Sequence, residues 1–210
     1  MLMQMKAMPL LKAGGGGASA DTTVRWDTVN FFTSTFSNGN RTVTASGSGG
    51  YAIGNLLKTS GSWYIEAQNT TSAVADGIGF VLSNTTFLSG QRLGMDPTEW
   101  GCVRGTNSTY RGLWNDSIRA FPGGGSSAVN YFNVNDIISL AINMSNGNMW
   151  WGVNGVYIGG GSPGANTLPT ATNGAAATNM KLAQSALSGA GVWTIPVTCT
   201  YPVPAGFLVL

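Results

Sequence analysis

Residues 131–158 (YFNVNDIISLAINMSNGNMWWGVNGVYI) constrain the fold of this chain more than any other stretch. Ile138, Leu140, Ile142 and Met144 occupy one side of an alternating run, and Ser139, Ala141 and Asn143 occupy the other. A period of two marks a strand with one buried face, because successive side chains point to opposite sides of the backbone. Residues 145–148 interrupt the run, and Met149, Trp151 and Val153 resume it. Asn154-Gly155 then supplies the two residues that accept positive φ in a type I′ hairpin turn, ahead of Val156, Tyr157 and Ile158. The stretch predicts a three-stranded antiparallel meander with Ile138, Leu140, Ile142, Met149 and Trp151 in the core. It leaves Trp150 and the Asn154-Gly155 turn on an uncommitted face.

Similar runs recur elsewhere. Residues 22–32 alternate, with Val24, Trp26 and Thr28 on one face; residues 37–40 make a turn, and residues 41–45 are β-branched. Residues 61–67 put Trp63 and Ile65 on one side and Tyr64 and Glu66 on the other. In residues 76–82, Gly77 and Gly79 imply close approach by another backbone or side chain. Short strands are expected at about 100–104 and 109–114, and the last two strands at 180–187 and 192–200. Residues 51–60 read as irregular or a short strand. Residues 159–179, built of Gly, Pro, Ala and Thr without a hydrophobic period, read as a long surface excursion. No segment has convincing helical periodicity. The pattern predicts an all-β fold, an antiparallel two-sheet β-sandwich, with a closed barrel as the alternative.

Residues 1–24 stand apart from residues 25–210. Leu2, Met3, Met5, Met8, Leu10 and Leu11 make the first stretch apolar, but Lys6, Pro9 and Lys12 interrupt it too often for a signal-peptide core, and Gly14 to Gly17 follow. This is the composition of an extended N-terminal arm: an adaptable docking segment on a flexible linker.

Only 9% of the residues are charged and 43% are hydrophobic, so Asn, Ser and Thr must supply solubility. Such a surface resists self-association poorly and suits a protein packed within an assembly. The ten basic and eight acidic residues are scattered. Nucleic-acid binding needs clustered Lys and Arg, and Arg104, Arg111 and Arg119 read instead as a solvated loop. No run is long and apolar enough to cross a membrane as a helix.

The chain has no His, which removes His-based triads and His-containing zinc sites. Cys102 and Cys199 allow one disulfide at most and read more simply as two buried thiols. The acidic residues lack the strand-borne pairing of a sandwich glycosidase; Glu66 lies on a strand but alone. Asp76, Asp96 and Asp136 sit near loops and stay open as calcium candidates, although none has the spacing of a known calcium loop. Neither catalysis nor a cofactor is expected. Trp100, Tyr110, Trp114, Trp150 and Tyr157 could offer faces to a glycan or a partner protein, while Trp63 and Trp151 belong in the core.

Several motifs, taken in order, resemble SPRY domains: Trp26-Asp27-Thr28, Ser37-Asn38-Gly39, Gly61-Ser62-Trp63-Tyr64-Ile65-Glu66, Gly77-Ile78-Gly79, Asp136-Ile137-Ile138, Asn146-Gly147-Asn148-Met149-Trp150-Trp151 and Val153-Asn154-Gly155. With the closing Pro204-Ala205-Gly206-Phe207, the chain resembles the SPRY-like domains of bacteriophage virion proteins over residues 24–210, with 83–130 matching loosely. The resemblance implies a concanavalin-like sandwich that binds partners through loops without catalysis. It leads to the expectation of a virion structural protein, assembled in the host cytoplasm, that decorates a capsid. Its partners would be the major capsid protein or other virion proteins, a homo-oligomer also being compatible. The alternative is a tail-fibre or surface module that recognises a host glycan. The arm residues above would make one contact, and Trp150, Asn154, Tyr157, Trp114 and Tyr110 would make another.

Overall fold

A computed structural model describes residues 23–46, 49–71, 75–85, 91–105, 112–115, 118–119, 131–172, 179–187 and 189–210, and in it the alternating runs build two sheets packed face to face. The seven-stranded sheet runs β1 (Trp26–Phe32), β4 (Gly50–Gly54), β14 (Met180–Ala186), β6 (Ala75–Leu82), β7 (Glu99–Gly105), β8 (Gly112–Asn115) and β9 (Ile118–Arg119). The nine-stranded sheet runs β12 (Val156–Tyr157), β11 (Asn148–Val153), β10 (Ile137–Asn143), β5 (Ser62–Asn69), β15 (Gly191–Thr194), β3 (Thr42–Ala45) and β2 (Ser34–Ser37). Two short strands complete it: β13 (Ala171–Thr172) beside β11, and β16 (Leu208–Val209) beside β5. Pairing is antiparallel except for β16, which runs parallel to β5. The arm residues Leu2, Met3, Met5, Met8, Leu10 and Leu11 lie outside the described residues, as does Tyr110.

The meander folds in the register its pattern dictates. Leu140 pairs with Trp151 and Ile142 with Met149, and Asn154 and Gly155 turn the chain at φ 49° and 83°. Ile138, Leu140, Ile142, Met149 and Trp151 are all buried, against Ile78, Phe80, Cys102, Leu113 and Leu182 of the facing sheet. Burying each such large apolar side chain contributes roughly 1.5–3 kcal/mol before entropy is charged against it. Hydrogen bonds also cross the sandwich: the Trp151 indole N–H donates to the Ile78 carbonyl at 3.2 Å, and the Ser34 hydroxyl donates to the Tyr51 carbonyl at 2.9 Å. The close approach expected at the β6 glycines is present, since a Cβ at Gly79 would run into the Trp100 carbonyl oxygen of β7.

Three readings are corrected, and one is narrowed to its short-strand option. Within residues 51–60, the residues 51–54 belong to β4, an interior strand between β1 and β14. Its small residues hid it: a Cβ at Gly54 would already lie 3.2 Å from that of Leu182. The excursion at 159–179 is not all surface, because β13 pairs with β11. Arg104 is not in a solvated loop but in β7, where it is buried and donates to Asp76 at 2.7 Å. That ion pair also removes Asp76 from the loop-borne calcium candidates. Cys102 and Cys199 are both free thiols, and Cys102 is buried while Cys199 is only half-buried.

Candidate partner-binding groove

Register places Tyr64, Ala141 and Trp150 side by side across β5, β10 and β11, on the face turned away from the sandwich core. An apolar row on the outer face of an antiparallel sheet needs a cover. Two distant segments provide it, residues 161–170 and residues 199–207. Cys199, Val203 and Phe207 pack against the row, with the Phe207 ring edge-on to Trp150 at 6.1 Å. The Trp150 indole N–H donates to the Thr167 carbonyl at 2.9 Å. Gly161 lies so close that a Cβ there would come within 2.8 Å of the ring. Trp150 is therefore fully buried. The expectation that it presents a free face to a partner or a sugar is corrected, because chain far away in sequence folds over it.

Glu66 fastens the second segment. Its carboxylate is buried and accepts from the Thr200 amide at 2.7 Å, the Tyr201 amide at 2.8 Å and the Tyr64 hydroxyl at 2.7 Å. Tyr64 also hydrogen-bonds Ser139 at 3.0 Å. Burial pushes the Tyr64 phenol well above its ordinary range, so it stays protonated as a donor. Sequence reasoning saw Glu66 only as a lone carboxylate on a strand. Its anchoring role depends on residues 134 and 135 positions away in the chain.

The two covering segments approach each other where a Cβ at Gly164 would lie 3.2 Å from the Ala205 amide nitrogen, but they do not close along their whole length. Between them lies an open groove of about 410 Å³, lined by Tyr157, Ser162 and Pro163 on one side and Pro202, Val203 and Pro204 on the other. Among the described residues, no charged side chain lines it. Tyr157 is half-buried, and its phenol is pushed up by burial and by the Glu66 carboxylate, which keeps it a neutral donor. Such a groove selects by shape, apolar contact and single hydrogen bonds.

The remaining predicted surface residues divide. Asn154 is exposed, but its side chain is engaged within the turn, accepting from the Ile137 amide at 3.0 Å and donating to Asp136 at 2.7 Å. Trp114 is buried, correcting its assignment to the surface: the Arg92 guanidinium lies 3.8 Å over its ring. That stacking belongs to a loop, residues 91–98, docked on the outer face of the seven-stranded sheet. Leu93 is buried there, and its amide donates to Ser185 at 2.7 Å. Trp100 is also buried. Of the proposed surface aromatics that are described, Tyr157 alone lines the groove.

The acidic side chains hold backbone. Among the described residues, Asp27 accepts from the Val29 amide, Asp96 from the Thr98 amide and hydroxyl, and Asp136 from the Asn133 amide. Glu99 accepts from the Gly94 and Met95 amides, Asp76 pairs with Arg104, and Glu66 anchors the 200–201 amides.

With this architecture the fold is SPRY-like. It is similar to the SPRY domain of human HERC1, with a TM-score of 0.58 at 16% identity, covering 81% of this chain and 96% of that one. A human SPRY domain gives 0.54 at 18% identity, covering 80% and 98%, and the PSpry domain of TRIM65 gives 0.53 at 13%, covering 83% and 90%. No protein-family model and no curated protein sequence matches the chain. Identities this low establish a shared fold, and function is a separate question.

Proposed function

We propose that this chain is a non-catalytic structural protein of a phage particle, a capsid decoration protein. In this reading residues 1–24 attach it to the major capsid protein or another virion protein, and the SPRY-like sandwich meets a neighbour through the Tyr157 groove. The observation that carries the non-catalytic reading is the use of the acids: each described carboxylate is a cap or an anchor for the chain's own backbone, or a partner of a buried arginine. General acid–base work needs a carboxyl free to face a substrate. The particle assignment is supported by the resemblance of residues 24–210 to phage SPRY-like domains and by a surface that holds few charges. The neutral groove suits protein contact, whereas the burial of Trp150 and Trp114 takes the sugar-stacking faces from the glycan alternative.

The test is occupancy on purified heads. Deleting residues 1–20 should abolish attachment of an otherwise folded protein, and unchanged occupancy would overturn the role of the arm.

A further inference from the structure

The nine-stranded sheet has a gap along one edge of β5. On that edge β15 pairs with Gln68 and Asn69, and β16 pairs with Trp63 and Tyr64. Among the described residues, none of the strands pairs with Ile65, Glu66 and Ala67 on that side. The gap opens into a cavity of about 250 Å³ whose apolar wall is Val24, Ile65, Ile195, Val209 and Leu210, with Cys199 beside them. Its surroundings are apolar too: Val197 is 77% exposed, Leu208 62% and Val209 54%. The two charged side chains that line it are already engaged. Arg41 donates to the Pro196 carbonyl at 3.1 Å, and Glu66 holds the tail amides. What the slot offers is a pocket with one apolar wall, polar groups in comparable measure around it and a short length of strand edge, which suits an extended segment that makes main-chain as well as apolar contacts.

The chain carries such a segment at the right distance. Thr23, the first described residue, itself lines the cavity. Residues 12–22 separate it from Leu2, Met3, Met5, Met8, Leu10 and Leu11. A flexible linker of that length has an end-to-end distance of about 18 Å, ample to return to a site at its own root. The effective concentration is then of millimolar order, about a thousandfold above that of a second copy at micromolar concentration. An apolar cavity of about 150 Å³ takes a benzene, so this one has room for one or two Leu or Met side chains. We propose that the slot between β15 and β16 is the docking site of the chain's own residues 1–11 in the unassembled protein, which seat their Leu and Met side chains against Ile65, Ile195 and Val209. The arm is thereby parked on its own sandwich until a partner displaces it. This inference stands on the slot and the arm alone and does not depend on the virion reading.

Cys199 reports on the slot, and the fully buried Cys102 serves as an internal reference. In the full-length protein, alkylation of Cys199 by a maleimide should accelerate about tenfold on the triple substitution Leu2→Ser, Leu10→Ser, Leu11→Ser, as protection that depends on a bound segment is lost. Val209→Asp, which spoils the slot and leaves the arm intact, should do the same, with Cys102 unmoved in both. A synthetic peptide of residues 1–12 at millimolar concentration should restore slow labelling to the triple variant. Equal rates in the native protein and the triple variant would overturn the proposal. So would protection that grows with protein concentration, which would assign the docked segment to a second copy.

Discussion

Trp150 lies on the outer face of its sheet, yet its indole N–H donates to the carbonyl of Thr167 at 2.9 Å and no part of the ring reaches solvent. Its role is to fasten residues 161–170 to β11. Trp150→Ala should therefore destabilise the protein by about 3–5 kcal/mol, the range for deleting a buried large aromatic. Trp150→Phe keeps most of the apolar contact and removes one of two donors to the Thr167 carbonyl, which still accepts from the Ser162 amide at 3.0 Å, so the loss should be no more than about 1 kcal/mol. Urea unfolding of the two variants separates packing from hydrogen bonding.

The case of Trp150 also marks where legibility in the sequence ends. Alternation reads the two faces of β10 and β11 correctly, and Asn154-Gly155 announces the positive φ values of the turn, while the pairing of Leu140 with Trp151 is seen only in the structure. Periodicity tells which side chains share a face. It cannot tell what covers that face when the cover comes from residues such as Phe207 or Thr167, which show no period of their own. Gly50–Gly54 escaped as a central strand for a related reason: Gly50, Ala52 and Gly54 pack by being small, and smallness leaves no hydrophobic signal. Trp114 is placed wrongly because its cover, Arg92 and Gly94, lies in a segment with no strand pattern.

Glu66 tests the anchoring of the carboxy-terminal segment. Glu66→Ala leaves the amides of Thr200 and Tyr201 and the hydroxyl of Tyr64 without their acceptor. A buried donor stranded in this way costs about 1–3 kcal/mol. The expected outcome is faster hydrogen exchange across residues 199–210 and new proteolytic cleavage there, with the β10–β11 amides still protected. Loss of protection throughout the molecule would mean that the segment is not an independent opening unit.

Two glycines should respond to the same substitution by very different amounts. At Gly79 a methyl group would meet the Trp100 carbonyl oxygen, so β6 and β7 cannot keep their ladder. Gly79→Ala is expected to cost more than about 3 kcal/mol, at the upper end of single-substitution effects. Gly160 has a φ of +72° and open space around it, so Gly160→Ala pays for backbone conformation alone, roughly 1 kcal/mol. Thermal unfolding of both variants gives the contrast directly.

Glu99 supplies a pH dependence that can be isolated. Burial raises its carboxyl from 4.5 to about 7, against the opposing pull of the Gly94 and Met95 amides, and among the described residues its second oxygen has no hydrogen-bond partner. A folded-state value above the unfolded one means that folding favours the protonated acid. The stabilising contribution is fully present below pH 4.5 and is lost as pH rises to about 7. A shift of this size corresponds to something on the order of 3 kcal/mol. Asp96, whose carboxyl is held below its usual value by the Thr98 hydroxyl and amide, acts with the opposite sign and only in more acidic solution. The chain has no histidine, so no imidazole titrates between pH 5 and 8 to mask the effect. Urea unfolding of the native protein should show stability falling from pH 5 to pH 8, while Glu99→Gln, which cannot ionise, flattens the profile. A slope that survives in Glu99→Gln would assign the dependence to another group and leave the docking of residues 91–98 insensitive to pH.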